Sequence, residues 1–266
     1  MAIDWSKIHL LIGTPTKGSG SITPEYVEGY LDIEKALTRR GARVSGCYSC
    51  APTMHMARGQ TMWLAAQGKG DVTHFLALDD DLKLRGETVV RMLETEHPVI
   101  GAAYRIKHPD RSTQFVVIFS GPQVHQEVAA DGTIEVQRLG GGCILYSIDA
   151  ILALLGAYGH FTWAKNTGLA CSVEFVDEKT REFVTEDYAT CDRWRAIGGT
   201  VRLLLDAETV HVGGAGKYPG NFRDLWPLRH RLMTDTLGEY NAICLDKSAV
   251  QVNLQPTVER EATAPS

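Results

Sequence analysis

Up to Tyr104 the chain alternates short apolar runs with amphipathic stretches. Ile8-His-Leu-Leu-Ile12 has the length of a buried strand and ends at Gly13-Thr-Pro-Thr16, a loop signal. Pro24 after Thr23 marks a first helical turn. Tyr26, Tyr30, Ile33 and Leu37 then recur on one helix face to about Arg40, where Gly41 stops the helix. Val44 to Cys50 reads as a second strand, and Met56 to Gln67 as a helix closed by Gly68. Thr73-His-Phe-Leu-Ala-Leu78 is a strand with Asp79-Asp80-Asp81 at its C-terminal end. Glu87 to Glu94 is helical, and Pro98 to Tyr104 is a further strand. The order βαβαβαβ predicts an α/β fold with a doubly wound, mostly parallel sheet. Such sheets bind ligands beyond the carboxyl ends of their strands, the edge on which Thr14, Thr16 and Asp79 fall.

The second half has another rhythm. Gln114 to Phe119 and Thr133 to Arg138 read as antiparallel strands around a turn at Asp131-Gly132. Gly140-Gly-Gly-Cys-Ile-Leu-Tyr146 leads into a helix near Asp149 to Leu155. Thr185 to Ile197 is a helix with Thr185 as N-cap, acidic residues in its first turn and Gly198-Gly199 at its end. Val201 to Leu205 and Thr209 to Val212 are short strands. The polar segment 247–266 reads as a loose tail.

Composition narrows the classes. A chain of 266 residues fits one large domain, able to bury about 75% of its unfolded surface. Its net charge of −5 gives no global attraction to nucleic acid or to an anionic membrane. No apolar stretch approaches the ~20 residues of a membrane span, and Met1-Ala-Ile-Asp-Trp5 lacks the pattern of a signal peptide. A cytoplasmic location and reduced cysteines are expected. Cys47 and Cys50 have C-x-x-C spacing, but no second such pair exists to close a zinc site, so they read as plain thiols.

The run Asp79-Asp80-Asp81 is the sharpest chemical feature. Two like charges ~4 Å apart cost about 4 kcal/mol at an effective dielectric near 20, so three carboxylates at a strand end need compensation. A solvated turn supplies it in one reading; a divalent cation with phosphate oxygens supplies it in the other. Glu186 and Asp187 open a helix, which fits dipole complementarity or a general base for a hydroxyl proton. His211 precedes Gly213-Gly-Ala-Gly-Lys217, whose N–H groups and Lys217 can cradle a diphosphate. Gly140-Gly141-Gly142 reads as a tight turn or as a place of close backbone approach beside a sugar. Two basic clusters, Arg105, Lys107, His108, Arg111 and Lys217, Arg223, Arg229, His230, Arg231, are solvated faces or contacts for a polyanion such as DNA. In the second, Tyr218, Phe222 and Trp226 are interleaved as core anchors.

Four segments together resemble a family. Thr73-His-Phe-Leu-Ala-Leu-Asp-Asp-Asp-Leu82 looks like the metal-binding D-x-D segment of GT-A glycosyltransferases. Pro98 to Lys107 resembles the strand that follows in compact bacterial and phage members, Thr185 to Arg193 their E-D helix, and His211 to Gly220 their terminal histidine and glycine-rich loop. The resemblance implies a single GT-A-like domain over 1–246, with a nucleotide-binding half to about 112 and an acceptor half from 113. It implies a metal-dependent transfer of a sugar from a nucleotide sugar, a UDP-sugar first, to a hydroxyl.

Carried over, Asp79 would meet the ribose or the metal's water shell, and Asp81 and His211 would ligate Mn²⁺ or Mg²⁺. Arg58 would face the nucleotide, with Asp80 beside it, and Thr14 and Thr16 would line base and ribose. Gly141, Gly142 and Lys217 would lie along the donor. Asp187 would be the base of an inverting transfer, with Glu186 on the acceptor; a retaining course stays open. The acceptors in view are a hydroxymethylated base in phage DNA, a protein or a glycan. Two other readings remain: a nucleotidyltransferase, for which Gly13-Thr-Pro-Thr-Lys-Gly-Ser-Gly20 is a partial loop signature, and a binding module without turnover.

Overall fold

In the computed structural model, residues 3–17, 22–108, 115–119, 127–214, 216–234 and 243–245 are described. The expected tail at 247–266, Arg111, Gln114 and the loop residues 18–20 lie outside them, as do the side chains of Arg229, His230 and Arg231.

The strands are β1 His9–Lys17, β2 Arg43–Ala51, β3 His74–Leu78, β4 Leu82–Leu84, β5 Val99–Gly101, β6 Val117–Ile118, β7 Thr133–Val136, β8 Arg138–Leu139 and β9 Cys143–Ser147. They continue with β10 His160–Trp163, β11 Asn166–Leu169, β12 Phe175–Val176, β13 Phe183–Val184, β14 Val201–Leu204, β15 Glu208–Gly213, β16 Gly216–Asn221, β17 Leu232–Thr234 and β18 Ile243–Leu245. The helices are α1 Pro24–Thr38, α2 Met54–Gln67, α3 Gly86–Glu94, α4 Ile148–Tyr158 and α5 Glu186–Ala196.

Seven strands form the central sheet in the order β2-β1-β3-β9-β5-β14-β7. Only β9 and β7 run against the rest, so the sheet is mostly parallel. Smaller antiparallel sheets surround it. One core layer holds Tyr26, Ile33 and Leu37 of α1 with Val89, Val90 and Met92 of α3. Met62 and Ala65 of α2, Ile151 and Leu154 of α4 and Cys191 of α5 belong to the other. The sheet is thus wound on both faces, as the alternating pattern predicts.

Two strands differ in length from the sequence reading, for physical reasons. β1 runs on through Gly13-Thr-Pro-Thr16 because β2 pairs with it in parallel over its whole length. Pro15 is tolerated there because β3 leaves β1 after Gly13, so the proline's missing N–H faces no partner on that side. The segment expected as a strand from Pro98 to Tyr104 keeps ladder pairing only at Val99–Gly101, where β9 lies against it.

Three connections aim the site. β9 enters antiparallel beside β3 with Leu78 opposite Cys143, so Gly142 arrives beside Asp79, whose N–H donates to the Gly142 carbonyl at 3.1 Å. The hairpin β15–β16 packs back on β4 with His211 opposite Leu82, and Val212 N–H donates to the Asp81 carbonyl at 2.8 Å. The start of α1 is tied to the acidic run: the N–H and hydroxyl of Thr23 each donate to the Asp80 carbonyl at 3.0 Å. Among the described residues no helix is long and apolar enough to cross a membrane. Cys47, Cys143, Cys171 and Cys191 are free thiols.

Candidate active site

Arg58 is the hub of the inner part of the site. Its position on α2 places it beneath the carboxyl end of β3, and its residue exposure is 4%. One Nη donates to Asp79 Oδ1 at 3.1 Å and lies 3.6 Å from Glu186 Oε1; the other donates to the Gly141 carbonyl. Burial opposes the guanidinium charge, but Asp79, Glu186 and Asp187 outweigh it and hold the arginine firmly protonated. Its Nε is buried with no hydrogen-bond partner.

Asp187, in the first turn of α5, closes the ring from the other side. Its Oδ2 accepts the Gly141 N–H at 3.1 Å; Oδ1 accepts the Thr185 hydroxyl at 2.6 Å and the Tyr188 N–H at 2.8 Å. A Cβ on Gly141 would stand 2.7 Å from Arg58 Cζ and 2.8 Å from Asp187 Cβ, and one on Gly142 would stand 2.7 Å from Asp79 Oδ2. Only glycine lets this strand start pass between the arginine and the two acids. The Gly140–Gly142 segment therefore does make a close approach, and what it approaches is the protein's own charged ring.

Glu186 lies deeper than its place at a helix start suggests. Burial raises its carboxyl above the usual glutamate range, with Arg58 pulling the other way. Asp187 has both carboxylate oxygens engaged in hydrogen bonds, whereas Glu186 is ion-paired with Arg58 at 3.6 Å.

The outer part holds Asp81 and His211. His211 Nδ1 is 2.7 Å from the Arg105 carbonyl, which can only accept, so Nδ1 carries a proton. Nε2 is turned to Asp81 Oδ1 at 3.4 Å, and Lys107 Nζ is bonded to Asp81 Oδ2. Burial pushes the Asp81 carboxyl up, but hydrogen bonds from His211 and Lys107 outweigh it and hold it below the usual range. Between the two parts, Asp80 has its carboxyl pushed up to about 6 by burial and then by the charges of Asp81 and Asp79. This is the mutual repulsion that three adjacent carboxylates imply.

The expected metal set of Asp79, Asp81 and His211 does not converge, because Asp79 is turned inward to Arg58. Among the described residues no three His, Cys, Asp or Glu side chains form a ready ligand cluster. What remains is a pair, Asp81 and His211. With Nδ1 fixed on a carbonyl, His211 presents Nε2 to the carboxylate, the orientation in which histidine binds metals. In the neutral ring Nε2 is an acceptor, and with the carboxylate oxygen 3.4 Å away it then fits a cation beside the two.

Thr14 and Thr16 stand behind the site. Both are buried; the Thr14 hydroxyl bonds Tyr26 Oη, and that of Thr16 donates to Tyr48 Oη at 3.0 Å. Lys217 lies on β16 rather than in a loop and pairs with Glu25 Oε1 at 2.8 Å. The expected glycine-rich loop is a tight hairpin in which Gly213 pairs with Gly216; Ala215 is outside the described residues.

The described members of the basic clusters are largely spent internally. Arg105 donates to the Pro219 carbonyl at 2.9 Å, Lys107 to Asp81, and Arg223 pairs with Asp206 at 3.2 Å. Tyr218, Phe222 and Trp226 are buried, as expected for core anchors.

Sequence reasoning missed Tyr104 as a site residue. Its hydroxyl accepts the Gly142 N–H at 3.1 Å, and its ring stands edge-on to His211 at 4.9 Å between centroids. Complete burial raises its hydroxyl pKa well above the usual value. Nothing local marks it, since its neighbours arrive from residues 142 and 211.

No family model matches the chain, and no curated protein does. Solved structures are similar at low identity. A197 from STIV matches at 11% identity over 90% of this chain and 94% of its own, with a TM-score of 0.47. A UDP-glucose pyrophosphorylase complexed with UDP-glucose matches at 10% identity over 76% and 92%, with a TM-score of 0.43. A glycosyltransferase involved in the glycosylation of the major capsid of PBCV-1 matches at 12% identity over 55% and 63%, with a TM-score of 0.33.

Proposed function

We propose that the protein is a glycosyltransferase that takes a sugar from a nucleotide-sugar donor, a UDP-sugar first, and passes it to a hydroxyl acceptor. One observation carries this reading. The first residue of the strand-end acidic run and an acidic pair at a helix start meet through one arginine, with Arg58 touching Asp79 and Glu186 and with Gly141 bridging Arg58 and Asp187. Such a site offers cation-compatible oxygens on one side and a carboxylate able to take a proton on the other.

In this reading Asp81 and His211 hold a divalent cation, Mn²⁺ or Mg²⁺. When bound, the cation would neutralise the charge that develops on the departing diphosphate. Arg58 keeps Asp79 in place and supplies fixed positive charge in a buried setting, where it needs no reorganisation during the reaction. Tyr104 and Asp187 anchor Gly142 and Gly141, so the backbone beside the donor cannot drift. Glu186 is the better general base of the helix-start pair. Its carboxyl is raised toward neutrality, which improves a base, whereas the oxygens of Asp187 are occupied. A hydroxymethylated base, a protein or a glycan remains a candidate acceptor.

Calorimetry with UDP and a donor-hydrolysis screen over nucleotide sugars test the reading. UDP should bind with Mn²⁺ and far more weakly with EDTA, and at least one donor should be hydrolysed slowly. Equal binding in both conditions would remove the cation. Incorporation of label from a nucleoside triphosphate into a sugar phosphate would replace the transferase with a nucleotidyltransferase.

A further inference from the structure

Lys107 reaches the outer part of the site from the segment that follows β5. Its Nζ is bonded to Asp81 Oδ2, while His211 Nε2 faces the other oxygen of the same carboxylate. Its position is built. A Cβ on Gly213 would stand 2.7 Å from Lys107 Cδ and 3.1 Å from Cε, so the lysine stem lies directly against the bare backbone of Gly213. Gly213 in turn follows Val212, whose N–H is held on the Asp81 carbonyl at 2.8 Å. Carboxylate, histidine and lysine therefore form one unit, in which the ammonium holds the Asp81 oxygen that His211 does not face.

An ammonium and a divalent cation cannot both sit on one carboxylate without strong mutual repulsion. We propose that Lys107 exchanges partners during donor binding: it neutralises Asp81 in the donor-free protein, a divalent cation displaces it, and the displaced ammonium becomes a ligand of the nucleoside diphosphate. The inference rests on the reading of Asp81 and His211 as cation ligands. The bare backbone of Gly213 leaves the lysine stem room to stay beside the site after displacement, where incoming phosphates bring negative charge. A lysine suits the exchange, being a compact point charge on a flexible stem, in contrast to the planar fork by which Arg58 is fixed.

The test is Lys107→Met, which keeps the stem and removes the charge. Mn²⁺ binding is followed by electron paramagnetic resonance without nucleotide; UDP and UMP binding are followed by calorimetry at saturating Mn²⁺. Without its competitor, Mn²⁺ should bind about tenfold more tightly than to wild type, the scale of one charge-assisted hydrogen bond. UDP should bind about tenfold more weakly, with UMP changed less. Unchanged or weaker Mn²⁺ binding by the variant overturns the exchange while leaving the cation site itself in place. Tighter Mn²⁺ with unchanged UDP overturns the diphosphate role. Absence of Mn²⁺ binding by both proteins removes the cation reading and the exchange with it.

Discussion

Asp79 and Asp81 are two residues apart, yet the protein neutralises them in opposite ways. Asp79 belongs to a buried ring in which Arg58 is held by a carboxylate, a carbonyl and a second acid. Asp81 belongs to a part-exposed unit, paired with a lysine whose side chain is 32% exposed and with a histidine. The inner ring is built round a guanidinium that is almost fully buried, so the positive charge of Arg58 is effectively permanent. The outer unit can trade one cation for another. The difference teaches that in an acidic triplet the site of exchange with solutes is chosen by which carboxylate lacks a buried guanidinium, and sequence position alone does not choose it.

The comparison breaks most visibly at Arg58. Arg58→Met should strand Asp79 and Glu186 as partly buried acids and cost about 3 kcal/mol of stability, read as a fall in urea midpoint. A fall as small as that of a surface substitution would mean the ring is wet and interchangeable with the outer unit. Asp81→Ala should do the reverse, removing measurable turnover while shifting Tm little, since under the proposed function it loses a part-exposed cation ligand rather than a core contact. Joint collapse of stability and activity in that variant would make Asp81 structural.

The next test separates the helix-start pair. Glu186→Gln should lower kcat about 10²-fold, the scale of a lost general base, with Tm near wild type. Asp187→Asn should lower Tm as well, because Asp187 holds Gly141, Thr185 and Tyr188. Since burial raises Glu186, the acid limb of kcat/KM should lie above the ordinary glutamate value of 4.5, with activity lost as pH falls through it. A limb at or below that value, or a larger kcat loss in Asp187→Asn, would return the base to Asp187.

Asp80 gives the smallest effect. Its folded pKa, about 6, lies above the usual 3.8, so between those values the folded protein keeps a proton that the unfolded chain has released. Stability should therefore fall as pH rises through that window, and Asp80→Asn should flatten the slope. Urea titrations at pH 4.5 and 7 read it; an unchanged slope would place the repulsion elsewhere.

The sequence by itself determined the alternation of strands and helices to Tyr104, the winding of the sheet on both faces, and the acidic run at the end of β3. Those features are local: periodicity, a helix-starting proline and stop glycines act within a few residues. It also singled out Glu186, Asp187, His211 and the glycine triplet as chemically loaded positions. It did not contain their assignment to an inner ring or an outer unit. That depended on β9 entering antiparallel beside β3, which set Gly142 against Asp79, and on the hairpin of residues 208–221 folding back on β4. Strand pairing across more than 60 residues decides which charge meets which, because a carboxylate's partner is whatever cation the register brings within hydrogen-bonding distance. For Tyr104 and Lys107 the deciding neighbours, Gly142 and Gly213, lie far along the chain, and only the tertiary structure turned them into parts of the site.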